Sequence, residues 1–309
     1  MIARRGVLAS AAGSLAAAAL GPGKVLGREM GGARMLEYRE IEAAGLPNQR
    51  LSIWLPPGYG ESERRYRVLY MHDGHNLFDP AVSNFNKVWA ADRAMLGFAA
   101  ASGEEPWIIV GIWAPGPDRY RQYLPRPAYD LADGQLRANM DEFAQGPIVS
   151  HRYLEWIVGV LKPWIDSQFR TLGGLRETAI AGSSMGGLVS LYAFLAYPEI
   201  FGRAACVSTH WPAIDPARVA GTEQRLIEIW NSMLIGGLGE PGTRKLWFDH
   251  GTATLDAHYA PYQEHIDHTM AASGWARGGD WESKVYPGAE HEENAWAARL
   301  PEVFGWLLA

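Results

Sequence analysis

The chain of 309 residues holds a single cysteine, Cys206, so no intramolecular disulfide can form. Its neighbours, Arg203-Ala204-Ala205 and Val207, make an apolar run that suits a buried small hydrophobe better than a catalytic thiol. An excess of basic charge is also missing. Lys and Arg number 28 against 34 Asp and Glu, a formal net charge of −6, so the cationic footprint of a nucleic-acid binder is absent. No apolar run is long enough to span a bilayer, which needs about 20 residues. Residues 7–20 come nearest, an alanine-dominated stretch behind Arg4-Arg5. That pattern suits the apolar region of an export signal, loosely of the twin-arginine type. Residues 1–29 are therefore expected to be an export signal and flexible N-terminus, with the protein periplasmic or secreted and without stable membrane insertion. No cysteine follows the run, which argues against a lipoprotein anchor. Internal repeats and linkers are lacking too, so 30–309 reads as one domain.

What is present is an alternating pattern. Short apolar runs at 66–71, 107–113, 178–181, 203–208, 245–249 and 281–286 read as strands. Helices are expected over 87–101, 147–169 (bent at Pro163), 188–195, 222–234, 256–273 and 292–308. Two further strands, 35–43 and 50–55, precede them around a Pro47-Asn48 turn. The alternation predicts an α/β domain: a mainly parallel sheet, an antiparallel N-terminal edge and helices on both faces. Residues 114–146 read as a long irregular connection, which in a compact domain is usually functional. Thirteen Trp and thirteen Tyr are many for this length, and some could line a site for sugars or aromatic acyl groups.

The stretch most informative about chemistry is Gly182-Ser183-Ser184-Met185-Gly186, set between a strand and a helix. A serine on a sharp strand-to-helix turn needs strained backbone angles and small residues two positions away on each side. Such a turn lifts the Ser184 hydroxyl clear of the sheet. It also aims the Met185 N–H and the helix N-terminus at a developing oxyanion. A serine nucleophile requires a base, and the base an orienting acid. Sites in open α/β sheets lie at the carboxyl ends of strands. His291, in the loop between the last strand and the last helix, is the candidate base. Asp249, Asp256 and Asp267 compete for the acid, with Asp256 preferred because a loop could bring it under the imidazole. The order Ser, Asp, His is that of α/β-hydrolases. A second oxyanion N–H is expected from Gly74 or His75, where glycine allows close backbone approach.

His72-Asp73-Gly74-His75-Asn76-Leu77-Phe78-Asp79, Gly182 to Gly187 and Glu290-His291-Glu292 together resemble the putative-esterase family of α/β-hydrolases. That family includes enterochelin-type siderophore esterases, feruloyl esterases and S-formylglutathione hydrolase. The resemblance runs from about residue 51 to 308. It implies Ser184 as nucleophile, His291 as base and an acid from the loop that begins at Gly251-Thr252. Two positions depart from the family's pattern. Gln122 stands where relatives often carry Glu, and His75 where they commonly carry Gln; both bear on substrate choice rather than on the triad.

The expected activity is hydrolysis of a carboxylic ester through a covalent acyl-enzyme, with no metal and no organic cofactor. The partner is a small-molecule or glycan ester: a siderophore, feruloyl or acetyl-sugar ester. Arg119 and Arg121 are candidates for binding an anionic substrate, and His210 and Trp211 for covering the pocket. Three rivals share the fold: an acyltransferase that excludes water, a peptidase, and an inactive carbohydrate- or ligand-binding relative. A metal protein is less well supported, because His258, His265 and His268 on one helix are too widely spaced for one ion.

Overall fold

Nine strands form one sheet, and their order sets where a ligand can bind. The computed structural model of the protein describes residues 26–309, so the expected export signal lies almost wholly outside the described residues. Strands β1 (Leu26–Met30), β2 (Ala33–Ile41), β3 (Gln49–Leu55), β4 (Val68–His72), β5 (Ile108–Ile112), β6 (Thr178–Ser183), β7 (Arg203–Val207), β8 (Lys245–Gly251) and β9 (Trp281–Tyr286) lie in the order β1-β2-β3-β5-β4-β6-β7-β8-β9. The first three and the β3–β5 pair are antiparallel; from β5 to β9 every pair is parallel. The antiparallel edge has three strands where the sequence predicts two, and a domain boundary at residue 30 would fall at the end of β1. That strand is mostly exposed and short, which gives it little hydrophobic signal.

Chain direction across the sheet reverses at β4. Its next strand, β5, is laid on one side, and β6 on the other. This switch point opens a crevice at the carboxyl ends of β4 and β6, where α/β folds bind ligands. The central strands read as unbroken apolar runs because both faces are covered: β4 and β5 are buried at every position. Alternate residues serve different cores. Val68 and Tyr70 pack with the helices on one face, Leu69 and Met71 with Ala91–Ser102 and Glu293–Leu307 on the other.

Three local departures from the sequence reading have physical causes. The connection 114–146 is not irregular; it carries helices Arg119–Tyr123, Arg126–Leu131 and Gly134–Ala144, the first two too short for a clear apolar period and the third burying only Leu136, Asn139, Met140 and Ala144. The long helix runs from Ser150 to Gln168, but Ile157–Leu161 is a π-turn. Pro163 falls in the first turn beyond it, where a missing N–H costs least. The helix expected from residue 256 begins as a 3-10 turn, Thr254–His258, before Ala260–Ala272.

Candidate active site

Ser184 occupies the turn between β6 and the helix Met185–Ala196, with φ 59° and ψ −124°. Few non-glycine residues adopt such angles, at a cost of roughly 1–3 kcal/mol, and the surroundings must over-determine them. Four backbone bonds do so: Ser184 N–H donates to Val207 O (3.0 Å), while Ser184 O accepts from Gly187 (3.0 Å), Leu188 (3.3 Å) and His210 (3.2 Å) N–H groups. Gly182 is required for the same reason. A Cβ there would stand 2.7 Å from the Gly186 carbonyl carbon, so the turn closes only on a bare backbone. The Met185 N–H, the first of its helix, has no intrahelical acceptor.

Past the end of β9, His291 Nδ1 lies 2.5 Å from Asp256 Oδ1. The imidazole is held edge-on by Tyr259 (ring centroids 5.7 Å apart, 83°) and Trp296 (5.1 Å, 87°). The other Asp256 oxygen accepts from Ser208 Oγ (2.6 Å) and the Gly251 N–H (2.5 Å). Burial works against the Asp256 charge, but the bonds from His291, Ser208 and Gly251 outweigh it and hold the carboxyl below its ordinary range. Asp249 is differently placed. It receives Arg299 Nη1 (2.6 Å), Trp247 Nε1 (2.7 Å) and the Ser208 N–H (3.0 Å), a closed and fully buried ion pair. Asp267 accepts from Gln263 on its own helix. Of the three carboxylates, Asp256 is the one bonded to His291.

Ser184 and His291 both line a cleft of about 440 Å³, with Asp73, Asn76, Arg119, Glu293 and Trp296 among its walls. Asp73, at φ 54°, binds Arg119 through two bonds of 2.7 Å. Arg119 therefore reaches the cleft with its charge largely offset. Arg121 pairs with Asp118 and is not part of the cleft wall. Trp211 is only 1% exposed, its indole N–H bonded to Gln263 Oε1 at 3.0 Å. It belongs to the core, so it cannot cover the pocket in this conformation. His210 is buried too, behind Ser184 rather than above the cleft. Gly74 and His75 line a separate small recess; the His75 ring leans on Trp113 and its Nε2 lies 3.2 Å from Asn84 Nδ2. A Cβ on Gly74 would stand 2.6 Å from Gly111 C, so the glycine serves the close approach of the β4 turn to β5. Gln122 is fully buried and away from the cleft wall.

Sequence reasoning missed Asp73, Ser208, Tyr259 and Arg299. Only Asp73 carried a local signal, its place directly after β4; the others reach the site through tertiary contacts. Among the described residues, no group of three or more His, Cys, Asp and Glu is arranged to hold a metal ion, and no helix is long and apolar enough to cross a membrane.

The mixed sheet with its switch-point cleft is that of the α/β-hydrolase class. Within that class, a family model described as "Putative esterase" matches residues 47–307, and the chain belongs to that family. It is 26% identical over 165 residues to the uncharacterized protein YbbA of Bacillus subtilis, covering 53% of this chain and 58% of that one. It is 25% identical over 158 residues to the endo-1,4-beta-xylanase/feruloyl esterase of Xylanibacter ruminicola, covering 50% of this chain and 18% of the relative. The chain thus matches little more than half the length of the one and under a fifth of the other. In fold it is similar to an IroE-like serine hydrolase from Shewanella oneidensis: TM-score 0.63, 19% identity, 87% of this chain and 80% of that one.

Proposed function

We propose that the protein is a serine carboxylic-ester hydrolase working through a covalent acyl-enzyme. The observation that carries the reading is the strained Ser184 turn sharing one cleft with a His291–Asp256 pair at 2.5 Å. His291 takes the Ser184 proton as the hydroxyl attacks the ester carbonyl. Asp256 keeps the imidazole in the tautomer that bears hydrogen on Nδ1 and offsets the charge of the imidazolium. The oxyanion is held by the Met185 N–H, a donor worth roughly 3 kcal/mol, and a second N–H is assigned to the turn after β4, whose Asp73 and Asn76, rather than Gly74 and His75, line the cleft. His291 then protonates the leaving alcohol, and water, activated by the same imidazole, releases the acid. Every proton moves through His291, so no metal or organic cofactor is called for.

Family membership and the feruloyl esterase in the Xylanibacter relative's name support a small-molecule or glycan ester, of the feruloyl, acetyl-sugar or siderophore kind. Phe85 and Trp296 on the cleft wall suit an aromatic or apolar acyl group, while Asp73 is engaged by Arg119 and Asn76 by Glu293. Arg119 is assigned to shape and polarity of the pocket rather than to anion capture, since Asp73 already engages it twice. The Arg4-Arg5 segment supports export. The test is intact-mass spectrometry after exposure to a fluorophosphonate. One adduct is expected on the wild type and none on Ser184→Ala, whose ester hydrolysis should fall by a factor on the order of 10⁴ or more with the thermal melt within a few degrees. A Ser184→Ala protein that still hydrolyses esters would overturn the assignment.

A further inference from the structure

Behind Ser184 and His291 lies a hydrogen-bonded pair that the triad mechanism leaves without a task. His210 Nε2 is 3.0 Å from Ile214 O, and His210 Nδ1 is 2.7 Å from Tyr259 Oη. A carbonyl only accepts, so the Nε2 must carry the hydrogen. Burial keeps His210 neutral, with its pKa lowered to about 3. A neutral imidazole has one N–H, so Nδ1 is a bare lone pair. The hydrogen between His210 and Tyr259 therefore comes from the phenol. With that proton committed, Tyr259 can offer only lone pairs to its remaining neighbours. Among them is His291 Nδ1, 3.5 Å away.

We infer that Tyr259 is a positioning residue, and that His210 sets its polarity so that an acceptor oxygen, not a proton, faces the base His291. The inference rests on the reading of Ser184 and His291 given above. Direction matters here. A phenol proton turned toward His291 would oppose the Nδ1–H that bonds Asp256. Turned toward Asp256, it would compete with His291 for the carboxylate. Held by His210, the oxygen instead adds a second negative dipole beside Nδ1–H when His291 becomes charged. The His210 N–H bond to Ser184 O (3.2 Å) ties the same residue to the backbone of the nucleophile turn. Both side chains are buried and neither contributes to the cleft wall, so their influence passes through Ser184 and His291 rather than through substrate contact.

The experiment uses the whole protein with p-nitrophenyl acetate and a fluorophosphonate. Tyr259→Phe removes the oxygen, His210→Phe removes the acceptor that orients it, and His210→Asn keeps an acceptor where Nδ1 stands. We expect kcat and the labelling rate to fall about tenfold in both Phe variants with KM within threefold of wild type. His210→Asn should recover most of the loss, and the double Phe variant should lose no more than the worse single one. Wild-type kcat in a folded Tyr259→Phe protein would overturn the inference. So would independent, multiplying losses in the double variant, the pattern of two packing defects. Should the wild type itself take no fluorophosphonate, the Ser184 reading falls and this inference with it. Labelling of the wild type with indifferent variants removes this inference alone.

Discussion

Two buried aspartates lie within one network, and the tasks assigned to them predict opposite phenotypes. Asp256 bonds His291, Ser208 and the Gly251 amide; Asp249 bonds Arg299, Trp247 and the Ser208 amide. Asp256→Asn keeps the shape but no longer fixes the imidazole tautomer, so kcat is expected to drop on the order of 10⁴-fold with a modest change in stability. Asp249→Asn removes the carboxylate that Arg299 bonds at 2.6 Å and leaves this buried charge only Asp256, 3.8 Å away and already bonded to His291, a defect of about 3 kcal/mol. Its melt should fall sharply while the protein that remains folded keeps kcat. Paired melts and active-site-titrated rates separate the two. If Asp249→Asn is stable and inactive while Asp256→Asn is active, the acid has been misassigned. Both carboxylates stand beside β8 in the sequence, and nothing local to either separates them. Their difference lies in Arg299 and His291, which arrive from a helix and a loop far along the chain.

At the scale of elements, strand and helix periodicity carried much of the reading. β9 coincides with the segment expected from its apolar pattern, and the turn at Ser184 was legible from Gly-x-Ser-x-Gly between a strand and a helix. The helices Arg119–Tyr123 and Arg126–Leu131 were not, because five or six residues cannot display an amphipathic period. Nor was the core position of Trp211: an aromatic after a strand end looks the same whether it points to the cleft or to the core. The turn after β4 is packed closely on the backbone of β5. Gly74→Ala places a Cβ 2.6 Å from Gly111 C, so the turn must shift. The expected effect is about 1–3 kcal/mol of destabilisation together with a loss of kcat, read from urea unfolding and ester kinetics. An unchanged unfolding midpoint would show that the turn has slack.

For the molecule as a whole, pH dependence follows from two histidines buried in the neutral form. His72, bonded to Tyr153 Oη at 2.9 Å, and His210 each have a pKa lowered by burial from 6.5 to about 3. Between those values the unfolded chain binds more protons than the folded one, so stability rises with pH across the window. The contribution is fully present above about pH 6.5 and is lost as pH falls toward about 3, at up to about 1.4 kcal/mol per pH unit for each histidine. Asp73 and Asp256, both held below the ordinary carboxylate range, add to the loss at the acid end of that window. Melting temperatures measured from about pH 7 down to about 4.5 should decline steadily, and His210→Asn should decline less steeply. A flat profile would mean that these rings accept protons in the folded state.

The strand order carries a temporal meaning as well. The nucleophile turn sits after β6 at the middle of the sheet, whereas His291 follows β9, the outermost strand and the last to be made. Ser208, bonded to Asp256, is fastened in turn by Trp296, 88 residues further on. A chain ended before β9 contains the Ser184 segment but lacks both His291 and the Trp296 that bonds Ser208. The proposed triad is thus complete only once the loop after β9 is in place, and hydrolysis by a chain that stops short of it is not expected.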